Sequence, residues 1–215
     1  MSLELCDISH RYGGAGAFVV EHANLKVAAG EIVGLVAPSG AGKSTLLSIA
    51  AGLLAPSSGG VRVATPDGAA HAVGYLPQSP RAFADPRLTL GATICAPLAF
   101  AQGRWRPRPK RYASDLQRVS AEAKLDAVLL DRKPMEVSDG QLQRALMART
   151  LITDPCVIVA DEPTAQLDQD TTRVIFQTLS QRALRGAAVL IASHDVSTLL
   201  EFCTRVLDLD ELVSG

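Results

Sequence analysis

Residues 31–54 read EIVGLVAPSGAGKSTLLSIAAGLL, and this stretch decides the fold. Its first half, residues 32–37, is a short and nearly unbroken apolar run, which is typical of a strand buried on both faces. The small residues that follow do not continue a strand comfortably. From Lys43 onward, leucines and alanines recur at the three- and four-residue spacing of a helix. The stretch therefore predicts a strand, a glycine-rich loop and a helix.

The loop between that strand and that helix has the composition of a phosphate-binding site. Its backbone N–H groups and the positive end of the helix dipole favour an anion, Lys43 can reach β- and γ-phosphates, and Ser44 can ligate Mg²⁺. Ala37 replaces the first glycine of the G-x-x-x-x-G-K-[ST] pattern, which is costly only if that residue needs a positive φ. The structural alternative is an ordinary turn. We predict a nucleotide site made by Ser39, Gly40, Ala41, Gly42, Lys43, Ser44 and Thr45.

Length and composition limit the possible classes of protein. The 215 residues suffice for one domain with a sizeable core, which we divide into an α/β core at about 1–85 and 150–215 and a lobe at about 86–149. The formal charge of −1 gives no global electrostatic reason to expect nucleic acid as a partner. No secretory signal or membrane-spanning stretch is visible, so a role at a membrane requires a partner that spans it. The four cysteines lie far apart, which favours packed thiols in a reducing compartment.

A second apolar strand, at residues 156–160, delivers Asp161 and Glu162 at its C-terminal end. Ligands of doubly wound sheets bind beyond the C-terminal strand ends, so both carboxylates are predicted to face the phosphate loop. In that position Asp161 can hold Mg²⁺, and Glu162 can polarise an attacking water. The alternative, a cap for the next helix, is disfavoured by the apolar residues before the pair.

Three further candidates lie at the ends of predicted elements. Gln78 ends a strand and can orient water or contact Mg²⁺, and His194 ends the last core strand, where it can donate to a γ-phosphate. Tyr12 lies in an N-terminal turn, and its ring suits stacking on adenine. Taken alone, each has a structural alternative: a surface glutamine, a structural histidine and a packing tyrosine.

The segment VSDGQ at residues 137–141 opens a long predicted helix that runs to Leu151. Ser138 and Gln141 fit the S-x-x-[EQ] capping box, so Ser138 is the predicted N-cap. A helix start is the structural interpretation of this motif. The functional interpretation is a second phosphate-binding helix end.

Residues 86–135 change in character and are predicted to form an α-helical lobe inserted into the α/β core. Within them, residues 103–111 hold five basic side chains, two prolines and Trp105. We interpret this run as a solvated, proline-stiffened connector, because nothing around it extends the positive patch. The alternative is a contact with nucleic acid or with anionic headgroups.

In this order the elements resemble the ATPase subunits of ATP-binding-cassette (ABC) transporters, over essentially the whole chain. The family's phosphate loop is similar to residues 37–45, its adenine-stacking aromatic to Tyr12 and its Q-loop glutamine to Gln78. Four further motifs are similar to VSDGQ at 137–141 (the LSGGQ signature), CVIVADE at 156–162 (the second acidic motif), AQLD at 165–168 (the D-loop) and SHD at 193–195 (the H-loop).

The resemblance implies a P-loop NTPase core with a mostly parallel sheet, an N-terminal antiparallel β subdomain and an inserted helical lobe. It implies ATP hydrolysis with Mg²⁺, with Glu162, His194 and Gln78 as catalytic residues and with Ser44, Gln78 and Asp161 at the metal. It also implies a head-to-tail dimer with a second copy or a paralogous ATPase. ATP would be enclosed between one subunit's phosphate loop and the other subunit's Ser138, Gly140, Gln141 and Asp168.

A transmembrane permease is the second partner that the resemblance implies. Nucleic acid is not an implied partner. The permease would sit in a groove between Gln78 and the lobe, which we predict to be lined by Leu88, Leu90, Ile94 and Leu98. The resemblance places the chain in the cytoplasm, peripheral on the inner face of the cell membrane through that permease.

The branch of the family is a finer question. ADEPT at residues 160–164 and the short chain are similar to the efflux branch, whose cargoes include lipoproteins, macrolides, peptides and haem, and we expect export. DPRLTLGATICAPL at residues 85–98 is similar to importers of peptides and nickel, which is the alternative. Ala37 and Asp139, in place of the first loop and signature glycines, leave a weakly hydrolysing or regulatory module open.

Rival classes of P-loop protein lack support in the sequence. A DNA-repair or chromosome ATPase of this superfamily would need a long coiled coil between Gln78 and Ser138. A translation factor would carry two tandem cassettes, and a small-molecule kinase would have no VSDGQ segment.

Overall fold

The computed structural model describes residues 1–13, 16–38, 40–65 and 73–213, and within them the chain is an α/β protein with two sheets. The strands are β1 (Ser2–His10), β2 (Val20–Ala28), β3 (Ile32–Val36), β4 (Ser58–Ala64), β5 (Val73–Leu76), β6 (Val157–Asp161), β7 (Ala188–Ala192) and β8 (Arg205–Asp208). The helices are α1 (Lys43–Ala50), α2 (Pro80–Phe83), α3 (Leu90–Ala101), α4 (Ala113–Glu122), α5 (Asp139–Leu151), α6 (Gln169–Leu184), α7 (Val196–Phe202) and α8 (Leu209–Val213). Three short 3₁₀ turns connect these helices. Pro109–Tyr112 lies between α3 and α4, and Ala127–Leu129 and Pro134–Glu136 lie between α4 and α5.

The main sheet is parallel and has the strand order β5-β6-β7-β3-β8. Its inner strands β3, β6 and β7 are apolar and almost entirely buried, as their continuous hydrophobic sequences predict. In β7, Ala192 is in register with both Leu35 of β3 and Asp161 of β6. The phosphate loop and the acid pair therefore leave the sheet at the same edge, separated by the width of one strand.

The N-terminal sheet is antiparallel, with β1 between β2 and β4. Leu3, Leu5 and Ile8 do not alternate strictly in sequence, and the pairing of β1 with β2 explains why. Its register shifts between Leu5 and Ile8, next to Asp7, whose φ is 52°. The irregularity returns Ile8 to the buried side, where it is fully covered.

The main sheet separates two apolar clusters. The lobe-side cluster contains residues of the lobe, α6 and α7, and the sheet-side cluster contains residues of the N-terminal sheet and α1. Along β6, Ile158 and Ala160 belong to the lobe-side cluster, whereas Val157 and Val159 belong to the sheet-side cluster. The predicted α/β core with a small antiparallel sheet and a helical lobe is confirmed.

The position of helix α3 shows that the predicted lining of the permease groove is partly wrong. The helix packs on α5 and α4, and Leu90 and Ile94 are fully buried, so these two residues belong to the core and do not line an open groove. Leu88 and Leu98 are partly buried. The error arises because α3 is apolar on nearly all sides, so its sequence does not mark which face is covered. No helix among the described residues is long and apolar enough to cross a membrane.

Candidate nucleotide-binding site

Two glycines shape the loop between β3 and α1. Gly40 has a φ of 83° and Gly42 a φ of 97°, both in the region that side chains rarely adopt. A Cβ on Gly42 would also lie 2.5 Å from the backbone oxygen of Val19, whereas one on Gly40 would meet nothing within 4 Å. Gly42 is therefore required both by its backbone angle and by the approach of Val19. Ser39, predicted to belong to this loop, lies outside the described residues.

Ala37 fits the position that carries glycine in the motif. Its φ is not positive, so the methyl group causes no backbone strain. Its carbonyl oxygen accepts a hydrogen bond from Nζ of Lys43 at 2.6 Å, and the Pro38 carbonyl accepts from the same atom at 3.2 Å. The buried ammonium of Lys43 is thus held inside the loop, by weak neutral acceptors that a phosphate oxygen can replace.

A cavity of about 350 Å³ lies over the loop. It brings the loop together with Gln78, from the end of β5, and with Glu162, from the end of β6. Its lining consists of Val19, Gly40, Gly42, Lys43, Ser44, Thr45, Gln78 and Glu162. Residues predicted separately from three parts of the sequence therefore surround one space.

Asp161 is buried beside this cavity with an incomplete set of partners. The Tyr75 hydroxyl donates to Oδ2 at 3.4 Å, and Oδ1 has no hydrogen-bond partner among the described residues. Burial raises the pKa of Asp161, and the nearby charge of Glu162 adds to the rise, whereas the hydroxyls of Ser44 and Tyr75 oppose it. Burial also raises the pKa of Tyr75 to about 12, so its hydroxyl remains a donor. A buried carboxylate with an unpaired oxygen suits a divalent cation.

Glu162 is positioned through an unusual backbone conformation. Its φ is 43°, in the left-handed region, and its N–H donates to the carbonyl of Ala192 at 2.9 Å. Nδ1 of His194 donates to Oε2 of Glu162 at 2.5 Å. The histidine side chain is 71% exposed and the glutamate only 12%. The structure thus brings His194 to the predicted base, and His194 itself lines a neighbouring cavity beside the residues of the D-loop.

Tyr12 lies next to the phosphate loop. Its hydroxyl is 3.1 Å from Oγ1 of Thr45, and its ring makes an edge contact with His10. Tyr12 is 58% exposed. The adenine contact of Tyr12 stays a prediction.

The capping box at the start of α5 is confirmed. The N–H of Gln141 donates to Oγ of Ser138 at 3.2 Å, and the N–H of Ser138 donates to Oε1 of Gln141 at 3.0 Å. Asp139 begins the helix and pairs with Arg81 on α2, with 2.6 Å between Oδ1 and Nε. Arg81 also donates to the carbonyls of Pro134 and Val137. Arg81 was not among the predicted site residues, because a partner 58 positions away leaves no local pattern in the sequence.

The signature and the D-loop meet within this chain. A Cβ on Gly140 would lie 3.0 Å from Oγ1 of Thr171 and 3.6 Å from Oδ2 of Asp168. Asp168 caps α6, accepting from the N–H of Thr171 at 2.8 Å. Neither Gly140, Asp168 nor the capping pair lines the cavity over the phosphate loop. They form a second group, separate from the first.

A buried glutamine connects the two groups and was also missed. Nε2 of Gln143, on α5, donates to the carbonyl of Pro77 at 3.1 Å and to that of Pro163 at 2.8 Å. Pro77 precedes Gln78, and Pro163 follows Glu162. The available signal was a polar residue between Leu142 and Ala145, on the apolar face of a helix.

Comparison with known proteins agrees with the geometry. The family model of the ABC transporter matches residues 20–165. The zinc import ATP-binding protein ZnuC of Cereibacter sphaeroides is 35% identical over 199 residues, covering 91% of this chain and 74% of that protein. The hemin import ATP-binding protein HmuV of Nocardia farcinica is 35% identical over 215 residues, covering 94% of this chain and 72% of that protein. The macrolide export ATP-binding/permease protein MacB of Bordetella avium is 32% identical over 222 residues, covering 97% of this chain and 33% of that protein.

Solved structures show the same fold. The dimeric post-hydrolysis state of the ATP-binding cassette MJ0796, bound to ADP and Pi, matches with a TM-score of 0.82 at 27% identity. The match covers 96% of this chain and 93% of that one. The matched family region includes the phosphate loop, the signature and the acid pair. The chain belongs to the ABC transporter family, as an ATP-binding subunit with ATPase activity.

Proposed function

We propose that this chain hydrolyses Mg²⁺–ATP between two cassettes and couples this cycle to substrate movement by a separate transmembrane permease. One observation carries the proposal: Lys43, Gln78 and Glu162 line a single cavity at the C-terminal edge of the parallel sheet. This cavity holds a phosphate anchor, a polar amide and a mostly buried carboxylate. Phosphoryl transfer to water requires such an arrangement, because its catalysis rests on positioning and charge.

Lys43 and the loop N–H groups are assigned to the β- and γ-phosphates. The Lys43 ammonium exchanges the carbonyls of Ala37 and Pro38 for phosphate oxygens, which form stronger, charge-assisted hydrogen bonds. Ser44, Gln78 and Asp161 would hold Mg²⁺, and the unpaired Oδ1 of Asp161 supports this assignment. When bound, the cation neutralises charge on the β- and γ-phosphates.

Glu162 is assigned as the residue that orients and deprotonates the attacking water. His194 fixes this carboxylate through Oε2, and the left-handed backbone of Glu162 aims the side chain toward the cavity lining. The other carboxylate oxygen is the atom that we assign to the water. His194 is therefore a positioning residue for Glu162 in this chain, and its contact with a γ-phosphate would come only when nucleotide is bound.

The second cassette is proposed to be another copy of this chain or a paralogous ATPase. The capping group of Ser138, Gly140 and Gln141, together with Asp168, lies outside the chain's own phosphate cavity, which supports a role toward a partner's nucleotide. Two matching solved structures of the cassette MJ0796 are dimeric, which also supports it.

The permease places the chain on the inner face of the cell membrane in this proposal. The names of the matching relatives, which are import and export ATP-binding proteins, support a transport partner. We propose export of a substrate, supported by the similarity to MacB over 97% of this chain. Import is the second candidate, supported by the higher identity to ZnuC and HmuV.

The test is a comparison of the wild type with Glu162→Gln, which keeps the side-chain shape and removes the charge. We expect ATP affinity to be retained and hydrolysis to fall by at least about 10²-fold. We also expect an ATP-dependent dimer to accumulate, measured by light scattering. Glu201→Gln, an exposed residue on α7, is the matched control and should hydrolyse ATP at the wild-type rate. An unchanged rate of ATP hydrolysis in Glu162→Gln would show that another residue is the general base.

Transport itself is tested separately. Co-expression with a multi-span permease encoded beside this chain should give a complex that hydrolyses ATP. Reconstituted into vesicles of known orientation, the complex shows the direction of transport. Failure of the chain to associate with any such permease would contradict the coupling proposal and leave the ATPase assignment intact.

A further inference from the structure

The connector between α3 and α4 concentrates positive charge. We call residues 100–111, FAQGRWRPRPKR, the basic loop; it has five basic residues and no acid. The whole chain has a formal charge of −1, so the remainder is net acidic. The loop is therefore a local positive feature on a chain whose other residues are net negative.

The side chains of the basic loop are presented to solvent. Trp105 is 91% exposed and Phe100 is 53% exposed, which is unusual for large aromatic residues. The basic side chains are exposed as well, and none of them forms an ion pair among the residues that the structure describes. Elsewhere arginines do find carboxylates, as Arg87 does with Asp85 and Arg205 with Glu31.

The ends of the basic loop are fixed while its tip projects. The buried Tyr112 donates its hydroxyl to Oε1 of Gln102 at 3.0 Å, which closes the base of the loop. The N–H of Arg104 donates to the carbonyl of Ala99 at 2.9 Å. Pro109 packs so close to Gly91 that a Cβ there would lie 3.4 Å from Cγ of the proline. A tip held in this way loses little conformational entropy when it binds.

We propose that the basic loop contacts an anionic lipid bilayer, with Trp105 at the interface between headgroups and acyl chains. Tryptophan partitions to that interface because its ring is apolar and its N–H is polar. Clustered arginines and lysines beside it are attracted to anionic headgroups. The proposed contact is separate from the permease and from ATP hydrolysis.

The bilayer is favoured over nucleic acid by the extent of the charge. Nucleic-acid sites combine a long positive groove with several stacking aromatics. Here the basic run is confined to residues 104–111 and includes one tryptophan. A flat anionic surface requires no more than a projecting, positively charged tip.

The single tryptophan of the chain makes the test specific, because all tryptophan emission comes from Trp105. The full chain is mixed with vesicles of phosphatidylcholine alone or with about 30% phosphatidylserine, a typical anionic surface. With the anionic vesicles we expect a blue shift of the emission and quenching by brominated acyl chains. Both effects should weaken when the salt is raised from about 0.1 M to about 1 M, because the headgroup charge is then screened.

Two matched double variants test the charges. Arg106→Gln with Arg108→Gln removes two charges from the loop, and we expect the vesicle partition coefficient to fall about 30-fold, roughly fivefold per residue. Arg62→Gln with Arg132→Gln removes the same charge from exposed positions elsewhere and should change it less than about twofold. Trp105→Ser, followed by vesicle sedimentation, should also weaken binding. ATP hydrolysis without vesicles should be the same in all three variants, which shows that they fold.

Three results would overturn the proposal. The first is no change of Trp105 emission with anionic vesicles. The second is an equal loss of binding in the two double variants, which would assign the effect to net charge. The third is a response of Trp105 to a single-stranded oligonucleotide and none to vesicles, which would assign the loop to nucleic acid.

Discussion

Arg81 and Asp139 form an ion pair between α2 and the start of α5, with 2.6 Å between Nε and Oδ1. Asp139 replaces the first glycine of the family signature, at a helix end proposed to receive a phosphate from another cassette. A carboxylate there favours its own helix through the macrodipole and opposes an incoming phosphate. Arg81, held by the carbonyls of Pro134 and Val137, supplies a positive charge at the same place.

We therefore expect Arg81→Gln to weaken ATP-dependent dimerisation, because it leaves the charge of Asp139 uncompensated. The loss should be about fivefold, as for a unit charge at about 4 Å in water. Adding Asp139→Asn to Arg81→Gln should restore dimerisation. The assay is light scattering with ATP, in the Glu162→Gln background that accumulates the dimer.

Arg87→Gln is the control, since Arg87 pairs with Asp85 on the same segment. It should dimerise like its parent. If Asp139→Asn has no effect in either background, Asp139 serves its own helix alone.

Lys43→Ala is expected to lower ATP affinity about 10–100-fold, because a charge-assisted hydrogen bond contributes about 1.5–3 kcal/mol. Calorimetric titration with ATP measures the change. Lys26→Ala removes the same charge from a lysine that pairs with Glu4 on the antiparallel sheet, and should bind ATP normally. Equal affinities for the two variants would contradict the assignment of Lys43.

Gly42→Ala and Gly40→Ala separate strain from steric conflict. Both residues have a positive φ, so each alanine should destabilise the fold by about 1–2 kcal/mol. Only Gly42→Ala also places a methyl group 2.5 Å from the Val19 oxygen. We expect its unfolding midpoint to lie at least about 2–4 °C below that of Gly40→Ala, equivalent to about 1 kcal/mol. Indistinguishable thermal midpoints would show that the loop moves away from Val19 without cost.

Asp161→Asn is expected to stabilise the nucleotide-free protein while abolishing stabilisation by Mg²⁺ and ATP. The pKa of Asp161 is raised in the folded state, so the folded protein binds this proton more tightly than the unfolded chain. Stability is therefore lost as the pH rises from the ordinary carboxyl pKa through the raised one. The thermal midpoint of the asparagine variant should therefore exceed that of the wild type at about pH 7, and the difference should shrink at about pH 4.

The measurement is thermal unfolding at the two pH values, with and without Mg²⁺–ATP. A variant that is less stable than wild type at neutral pH, without nucleotide, would show that the charged carboxylate is favourable in the fold. Asp170→Asn, on the exposed start of α6, is a control for loss of a charge.

Local patterns in the sequence predicted local structure well. The strand, loop and helix around Lys43 and the capping box of Ser138 depend on neighbouring residues, and both are present. The convergence of the acid pair on the phosphate loop followed from the rule that parallel strands end at one edge. These features are set by short-range chemistry or by the topology of the fold.

The features that could not be predicted from the sequence depend on contacts between distant segments. The burial of Ile94 is decided by α5 packing on α3, and the partner of Asp139 comes from α2. Tyr75 becomes recognisable only once β5 and β6 are placed side by side, and the partners of Gln143 only once α5 is placed against them. Periodicity identifies an apolar helix, but the neighbours that cover it determine which of its faces remain open.

The alternation of β6 between two apolar clusters has a consequence for genetics. Val159 and Ile158 are adjacent in the chain, yet they belong to different clusters. Second-site suppressors of a cavity at Val159 are therefore expected in the N-terminal sheet, at residues such as Leu3. Suppressors of a cavity at Ile158 are expected among lobe residues such as Leu146, twelve positions away in sequence but in the same cluster.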